Sequence, residues 1–533
     1  MHRRKTRSPG ELPPGASPMG WVLQSPGRAI LAVCLFLAAT LSLYVDRMTF
    51  LHEEPRRAIV AQEMLLSEDY VAPTVFQRPY FKKPPLHNWL IALAALPDRA
   101  VSHREARTVS LVAFFLLGSA VYLLLRRASH RTATVAFLIT MTTYLMACEY
   151  GNRAEPDMLL ALFAFLAYFF YIRRPFHWPH LLLSSLFMGM GILTKGVSPL
   201  FFYPGLLVWI LLGGQPRARG LAYLGAHLLL SLALPALWAG LLWSRGDLGR
   251  LFETGVYEVG TKTGGALGEF FAHLVVFPLR LVCVLLPWSV LPLIAFRRGH
   301  REGRVYRSSF WIAATSILLF TLASGSRDRY ILPAIPFLAI VGAEHIDPRR
   351  LIRRVPGRVL LILLALTCLA GGVGAWVLGY PLPTIALFGA SLATGWFAVR
   401  GRYPVIDYAL IVSLIVVTAY EHAFYYHRAE RKGTYAPLVA QIAERTRADT
   451  PLVIDQRVPL IHLAFYLQAG LQRPVYAQAV ADFEHYYYIT SPERALAEGR
   501  QLARLPYPRP KIGEIVLQEV GPVSAPRDPV ETE

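Results

Sequence analysis

The sequence predicts a polytopic α-helical membrane protein, with about 13 transmembrane helices and a small soluble α/β domain at the C-terminal end. Two observations predict it. Of 533 residues, 54% are hydrophobic, and the mean hydropathy is +0.39. That content supplies many runs of the roughly 20 apolar residues a bilayer span needs. The formal net charge of +19 is not gathered in one block: it falls in pairs and short clusters between the apolar runs. This is where the positive-inside rule places cytoplasmic loops. It argues against nucleic acid as a partner, because a nucleic-acid site concentrates Lys and Arg on one folded surface.

The apolar runs lie near 29–45, 108–125, 131–149, 156–172, 180–195 and 199–213. They continue near 221–244, 273–296, 308–323, 330–345, 357–378, 381–398 and 404–422. Several are short enough to be tilted or broken. Arg3, Arg4, Lys5 and Arg7 precede the first run, and no small-residue cleavage site follows it. It therefore reads as an uncleaved span behind a basic cytoplasmic N-terminus, residues 1–28. Threading from that end puts the connectors with Arg126 and Arg127, Arg173 and Arg174, and Arg217 and Arg219 on the cytoplasmic side. The clusters at 297–307 and 349–358, and Arg400 with Arg402, fall on the same side. The expectation is a multi-pass protein of the cytoplasmic (inner) membrane, with its N-terminus in the cytoplasm and its C-terminus outside.

Within a transmembrane domain over 29–427, two outer loops are expected at 46–107 and 245–273, followed by a soluble domain with a disordered Pro-rich tail over 428–533. The first loop carries an amphipathic stretch, A-I-V-A-Q-E-M-L-L, and an apolar run, L-H-N-W-L-I-A-L-A-A-L. The run is too short to span and reads as an interfacial helix. The second loop holds Tyr257, Glu258 and Lys262 in a glycine-rich stretch expected to be mobile. The C-terminal part mixes a helical pattern, A-P-L-V-A-Q-I-A-E-R, with the β-branched runs P-L-V-I and G-E-I-V-L-Q. The four cysteines, Cys34, Cys148, Cys283 and Cys368, sit in or beside apolar segments without C-x-x-C spacing, so they offer neither a disulfide framework nor a zinc site.

Charges beside a bilayer are costly, so a cluster there points to function. The first loop has one. H-E-E-P-R-R-A gives His52, Glu53, Glu54, Arg56 and Arg57; R-P-Y-F-K-K-P-P-L-H-N-W gives Arg78, Tyr80, Lys82, Lys83, His87 and Trp89. A carboxylate can take the proton of an acceptor hydroxyl, and cations can stabilise charge on a departing phosphate. The plainer reading is snorkelling charges on a solvated loop.

The order E-E-P-R-R-A-I-V-A-Q-E-M, then P-Y-F-K-K-P-P-L, resembles the membrane-embedded GT-C glycosyltransferases, above all the bacterial branch related to the lipid A aminoarabinose transferase; protein O-mannosyltransferases are more distant. Further matches follow in order: N-R-A-E-P-D-M at 152–158, G-I-L-T-K-G at 191–196, L-L-P-W-S at 285–289 and S-G-S-R-D-R-Y-I-L-P at 324–333. The resemblance implies an inverting transferase that moves a hexose or pentose from a polyprenyl-phosphate carrier to a lipid, glycan or protein acceptor on the outer face. It implies Glu53 as first-loop base, with Glu54 beside it, and Asp157 as second-loop carboxylate, with Arg153 nearby. It also implies that Lys83, Lys82, Tyr80, Arg56, Lys195, Arg329 and Tyr330 hold the carrier phosphate.

The sequence departs from the family pattern at three places. The first acid, usually Asp, is Glu53. The acid usual before K-P-P is Lys82, and the Tyr usual after the first Arg is Arg57. The site is thus more basic than the pattern, as a more anionic acceptor, a second phosphate or a catalytically degenerate member would each require. No cofactor is implied; a divalent cation on His52, Glu53 and Asp157 stays open, without a recognised ligand spacing. The rival function is a transporter or flippase of a lipid-linked sugar. Against it stand charged motifs gathered at one face and the lack of a repeated half with broken helices.

Overall fold

The structure is a computed structural model that describes residues 26–521 except 44, 47, 264–266, 290–302, 346–354, 401–404, 426–434, 478–482 and 509–511. The basic N-terminal stretch and the Pro-rich C-terminal end fall outside these residues, as do parts of the later basic connectors. The chain is a helical bundle followed by a strand-containing domain. In order come α1 (Pro26–Ser42), α2 (Glu54–Ser67), the hairpin β1 (Thr74–Val75) and β2 (Arg78–Pro79), α3 (Leu86–Ala94), α4 (His103–Leu125), α5 (His130–Thr142), α6 (Pro156–Arg173) and α7 (Trp178–Lys195). Next are α8 (Phe202–Trp209), α9 (Arg217–Ser231), α10 (Ala233–Ser244), α11 (Leu248–Thr263), α12 (Leu267–Val284), α13 (Arg304–Leu322), α14 (Ile335–His345), α15 (Val355–Val377), α16 (Pro381–Arg400) and α17 (Val405–Ala419).

Among the described residues, four helical segments are long and apolar enough to cross a membrane: α4, α6, the α9–α10 pair and α13. Among the described residues, several of the expected apolar runs are interrupted. The run at 131–149 leaves α5 at Thr142 and resumes as a π-helical turn over Leu145–Tyr150. The run at 199–213 starts as a 3-10 turn at Ser198–Phe201, with Pro199 in its first turn, and ends beyond α8 in a kink at Gly213, whose φ is +84°. The run at 330–345 opens as a 3-10 turn over Asp328–Ala334 that contains Pro333. Proline removes a helix donor and glycine frees φ, so the interruptions have local causes. Small residues let helices close in: a Cβ at Gly205 of α8 would collide with the backbone of Ile312 in α13.

Within the expected outer loop 245–273, Leu248–Thr263 is a continuous helix, α11. Leu248, Leu251, Phe252 and Val259 recur at helical spacing, and scattered single glycines, each costing about 1 kcal/mol, do not outweigh an amphipathic face. The side chains of Tyr257, Glu258 and Lys262 lie outside the described residues.

Beyond the bundle come α18 (Ala436–Arg445), β3 (Leu452–Ile454), α19 (Ile461–Leu471), β4 (Val475–Ala477), β5 (Tyr486–Thr490), β6 (Arg500–Pro506) and β7 (Glu514–Val520). The five strands form one mixed sheet in the order β4-β3-β5-β7-β6. β3 pairs in parallel with β4 and β5, so α19 serves as the crossover that a parallel pair requires. This domain docks on the segment between α1 and α4. Phe50 packs on Phe465 with ring centroids 4.9 Å apart, the Tyr466 hydroxyl meets His103 Nε2 at 2.8 Å, and Arg78 donates to Gln456 at 3.0 Å. The segment between α1 and α4 and the C-terminal domain therefore share one apolar core.

A buried carboxylate fixes that junction. In the two-residue turn between β1 and β2, Phe76 and Gln77 both have positive φ, +58° and +60°. This conformation is costly for residues other than Gly, Asn or Asp. Glu63 holds it: its oxygens accept from Phe76 N (2.7 Å), Gln77 N (3.2 Å) and Thr74 Oγ1 (2.5 Å). Gln468 Nε2 of α19 donates to the same carboxylate at 2.8 Å. Burial pushes the Glu63 carboxyl up, and the four hydrogen bonds offset this only in part. Glu63→Ala strands these donors and should cost about 2–4 kcal/mol, read as a lowered melting temperature of the full chain; Glu63→Gln, which keeps an acceptor oxygen, should cost less.

Candidate active site

The chain enters α2 through Glu53, whose backbone caps the helix, and Pro55 in the first turn, where a missing N–H does no harm. Neighbours at a helix start point about 100° apart, and Glu53 and Glu54 go to different places. Glu54 is fully buried. It accepts from Arg107 Nε (2.9 Å) and Nη2 (3.0 Å), from Leu51 N (2.7 Å) and from Ala154 N (2.9 Å). Arg107, also fully buried, donates further to the carbonyls of Val45, Met48 and Thr49. Burial alone would raise the Glu54 carboxyl, but Arg107 and the two backbone donors bring it down to about 2. Glu54 thus ties α2, α4 and the segment before α6 together and is absent from the cavity wall.

Glu53 instead opens on a cavity of about 610 Å³, and every other residue expected in the site lines it: Asp157, Lys83, Lys82, Tyr80, Arg56, Lys195, Arg329 and Tyr330. The first wall comes from α2 and the segment after β2. Arg56 Nε donates to Glu53 Oε2 at 2.8 Å, and Arg57 lies 3.9 Å from the same oxygen. Arg57 also donates to the Tyr80 hydroxyl at 3.0 Å, and both guanidiniums stand over the Tyr80 ring. Partial burial would raise the Glu53 carboxyl, but Arg56, Arg57 and Arg329 outweigh it and hold it below the usual range. Glu53 is thus ionised at neutral pH.

The deeper wall comes from the N-terminus of α6, the C-terminus of α7 and the 3-10 turn before α14. Lys195 Nζ contacts Asp157 Oδ1 at 2.5 Å and stands 4.9 Å from the centroid of the Tyr330 ring. Arg329 Nη1 contacts Glu155 Oε2 at 2.6 Å. Asp157 is 1% exposed, and its second oxygen, Oδ2, has no hydrogen-bond partner among the described residues. A buried carboxylate oxygen without a donor is costly and fits an atom that meets a substrate.

Some expectations are not met, and some lining residues went unread. Arg153 is absent from the cavity wall; it pairs with Glu149 at 2.9 Å and stacks on Tyr150. His52 is not in the cavity wall, and among the described residues no three His, Cys, Asp or Glu side chains gather to hold a metal. Glu155, Arg327 and Glu269 line the cavity without a role foreseen for them. Glu155 and Arg327 lie inside matched motifs, but Glu269 belongs to no motif. His87 is buried near Arg57 with neither ring nitrogen hydrogen-bonded; burial first, then Arg57, pulls its imidazole down to about 3. The wall holds Arg56, Arg57, Lys82, Lys83, Lys195, Arg327 and Arg329 against Glu53, Glu155, Asp157 and Glu269. A surplus of cations beside carboxylates suits a phosphate leaving group together with a proton acceptor.

The profile of the family described as dolichyl-phosphate-mannose-protein mannosyltransferase matches residues 82–243. The chain is 27% identical over 418 residues to the undecaprenyl phosphate-alpha-4-amino-4-deoxy-L-arabinose arabinosyl transferase 2 of Pseudomonas fluorescens, covering 73% of this chain and 68% of that one. It is 28% identical over 433 residues to the corresponding arabinosyl transferase of Pseudomonas aeruginosa, covering 76% of each. In fold it resembles the crystal structure of ArnT from Cupriavidus metallidurans bound to undecaprenyl phosphate. The TM-score is 0.71 at 18% identity, over 95% of this chain and all of that one.

Proposed function

We infer that this chain, which in relatives and fold is a multi-pass GT-C glycosyltransferase of the aminoarabinose transferase type, transfers a sugar from a polyprenyl-phosphate carrier to an acceptor on the face of the membrane where its C-terminal domain lies. The observation that carries this reading is the cavity itself: cations from four separate chain segments converge on a space that Glu53 and Asp157 also face. The relatives' donor supports an amino-pentose on undecaprenyl phosphate. The acceptor is a lipid, glycan or protein hydroxyl, and the face is extracytoplasmic.

In the reaction, the acceptor oxygen attacks the anomeric carbon as the bond from that carbon to the phosphate oxygen breaks. The acceptor proton passes to Glu53, or to Asp157, and the electron pair of the broken bond leaves on polyprenyl phosphate. Lys83, Lys82, Arg56 and Tyr80 hold the phosphate from one side and Arg329, Lys195 and Tyr330 from the other, so that charge developing on the leaving group meets fixed cations. Holding donor and acceptor together supplies the remaining advantage.

The test is transfer and binding by purified full-length protein in liposomes with undecaprenyl-phosphate donors. Lys83→Ala should weaken carrier binding by about tenfold or more, and Lys83→Arg should weaken it less, because the charge survives although its geometry changes. Parental carrier binding by both variants would make Lys83 a snorkelling residue and remove it from the site.

A further inference from the structure

Three of the four carboxylates in the cavity wall already have a cation. Glu53 has Arg56 at 2.8 Å, Asp157 has Lys195 at 2.5 Å, and Glu155 has Arg329 at 2.6 Å. Glu269 is the exception: among the described residues it has no ion pair and no hydrogen bond, although Arg56, Arg57, Lys82, Lys83 and Arg327 share its cavity. It enters from an element that contributes no other lining residue, the first turn of α12, and its side chain is exposed to the cavity mouth. A helix N-terminus favours the ionised carboxylate there.

An unpaired negative charge in a cavity built to hold phosphate opposes the ligand by Coulomb repulsion. It becomes favourable when the ligand also carries a positive charge, held away from the phosphate and toward the wall formed by α12. A donor with an ammonium group on its sugar has that distribution: an anion at the anomeric position and a cation across the ring. A neutral sugar gives Glu269 only hydroxyls. The other three carboxylates cannot take this role without first losing their own cations.

We propose that Glu269 binds the ammonium group of an amino-sugar donor and makes the enzyme select cationic over neutral sugars. This rests on the donor class inferred above and adds the residue that reads it. Hydrogen bonds to charged partners are the strong ones, but Glu269 is exposed and solvent screens it, so selectivity of about tenfold is expected.

The experiment uses full-length protein in liposomes with three donors on undecaprenyl phosphate: 4-amino-4-deoxy-L-arabinose, its N-acetyl derivative and L-arabinose. Wild-type protein should prefer the free amine in kcat/KM by about tenfold or more. Glu269→Gln should reduce that preference by about tenfold, and Glu269→Asp, which keeps the charge, should retain part of it. Equilibrium binding of the same donors, with bare undecaprenyl phosphate as competitor, gives a second readout independent of turnover. No wild-type preference for the amine, or an equal loss on all three donors in Glu269→Gln, would overturn the assignment. If no donor is transferred, the transferase reading falls, while the binding preference and its change in Glu269→Gln still decide whether this carboxylate reads the amine.

Discussion

Glu53→Gln is expected to lower sugar transfer by about two to four orders of magnitude while leaving donor binding intact. The amide keeps the size of the side chain and an acceptor oxygen for Arg56, but it cannot take a proton. Removing the negative charge also loosens Arg56, now held at 2.8 Å, and turns it toward the carrier phosphate, so binding should hold or tighten. A structural role would instead lower binding and thermal stability together. Asp157→Asn is the competing test, because the unpartnered Oδ2 is the other carboxylate oxygen placed to meet a substrate. Near-parental transfer by Glu53→Gln beside abolished transfer by Asp157→Asn would move the base to α6. If both variants turn over like the parent in a preparation with measurable transfer, neither carboxylate is the base.

Glu54→Gln is expected to cost about 3–5 kcal/mol of stability, because it leaves Arg107 as an uncompensated buried charge. A control at the residue next to Glu53 would thus be a folding variant, not a silent one. It should appear as a large fall in melting temperature and in folded yield. Replacing both partners, Glu54→Gln with Arg107→Met, should recover part of the loss, since an apolar pair of similar volume avoids the desolvation that the ion pair endures. The same pair predicts acid sensitivity. The Glu54 carboxyl, ordinarily near 4.5, is held near 2 in the fold. Its stabilisation is therefore complete above about pH 4.5 and is lost as the pH falls toward 2. Parental melting with abolished transfer in Glu54→Gln would return Glu54 to the chemistry.

The cavity lining was legible where the motifs of the resemblance carry it. Lys83, Lys195, Arg329 and Asp157 are far apart in sequence, yet their motifs occur in order, and the fold brings them to one cavity. Arg153, four residues before Asp157, lies ahead of α6 and pairs with Glu149, a partner the sequence does not announce. Glu269 was missed because its signal is an absence, a carboxylate without a cation among the described residues, and pairing between distant segments is not written in any one of them. The interruptions inside the apolar runs were not legible for a local reason: hydropathy sees a run of apolar residues, whereas Pro199, Gly213 and Pro333 break the hydrogen-bond ladder inside it.

By itself the sequence determined the class of molecule, since apolar length and the spacing of basic residues are additive properties that need no partner to be read. Through ordered motifs it also marked most of the segments that line the cavity. Only the tertiary structure places Glu53 at the cavity and Glu54 on a buried arginine. Adjacent residues of the same chemistry diverge at a helix start, and whether a carboxylate meets a cavity or a buried arginine depends on α4, more than 50 positions away. The same holds for the first loop, whose conformation rests on Gln468 of the C-terminal domain reaching back to Glu63. Local preference sets the elements, but charge burial is tolerated only where distant segments supply the opposite charge or the missing hydrogen bond.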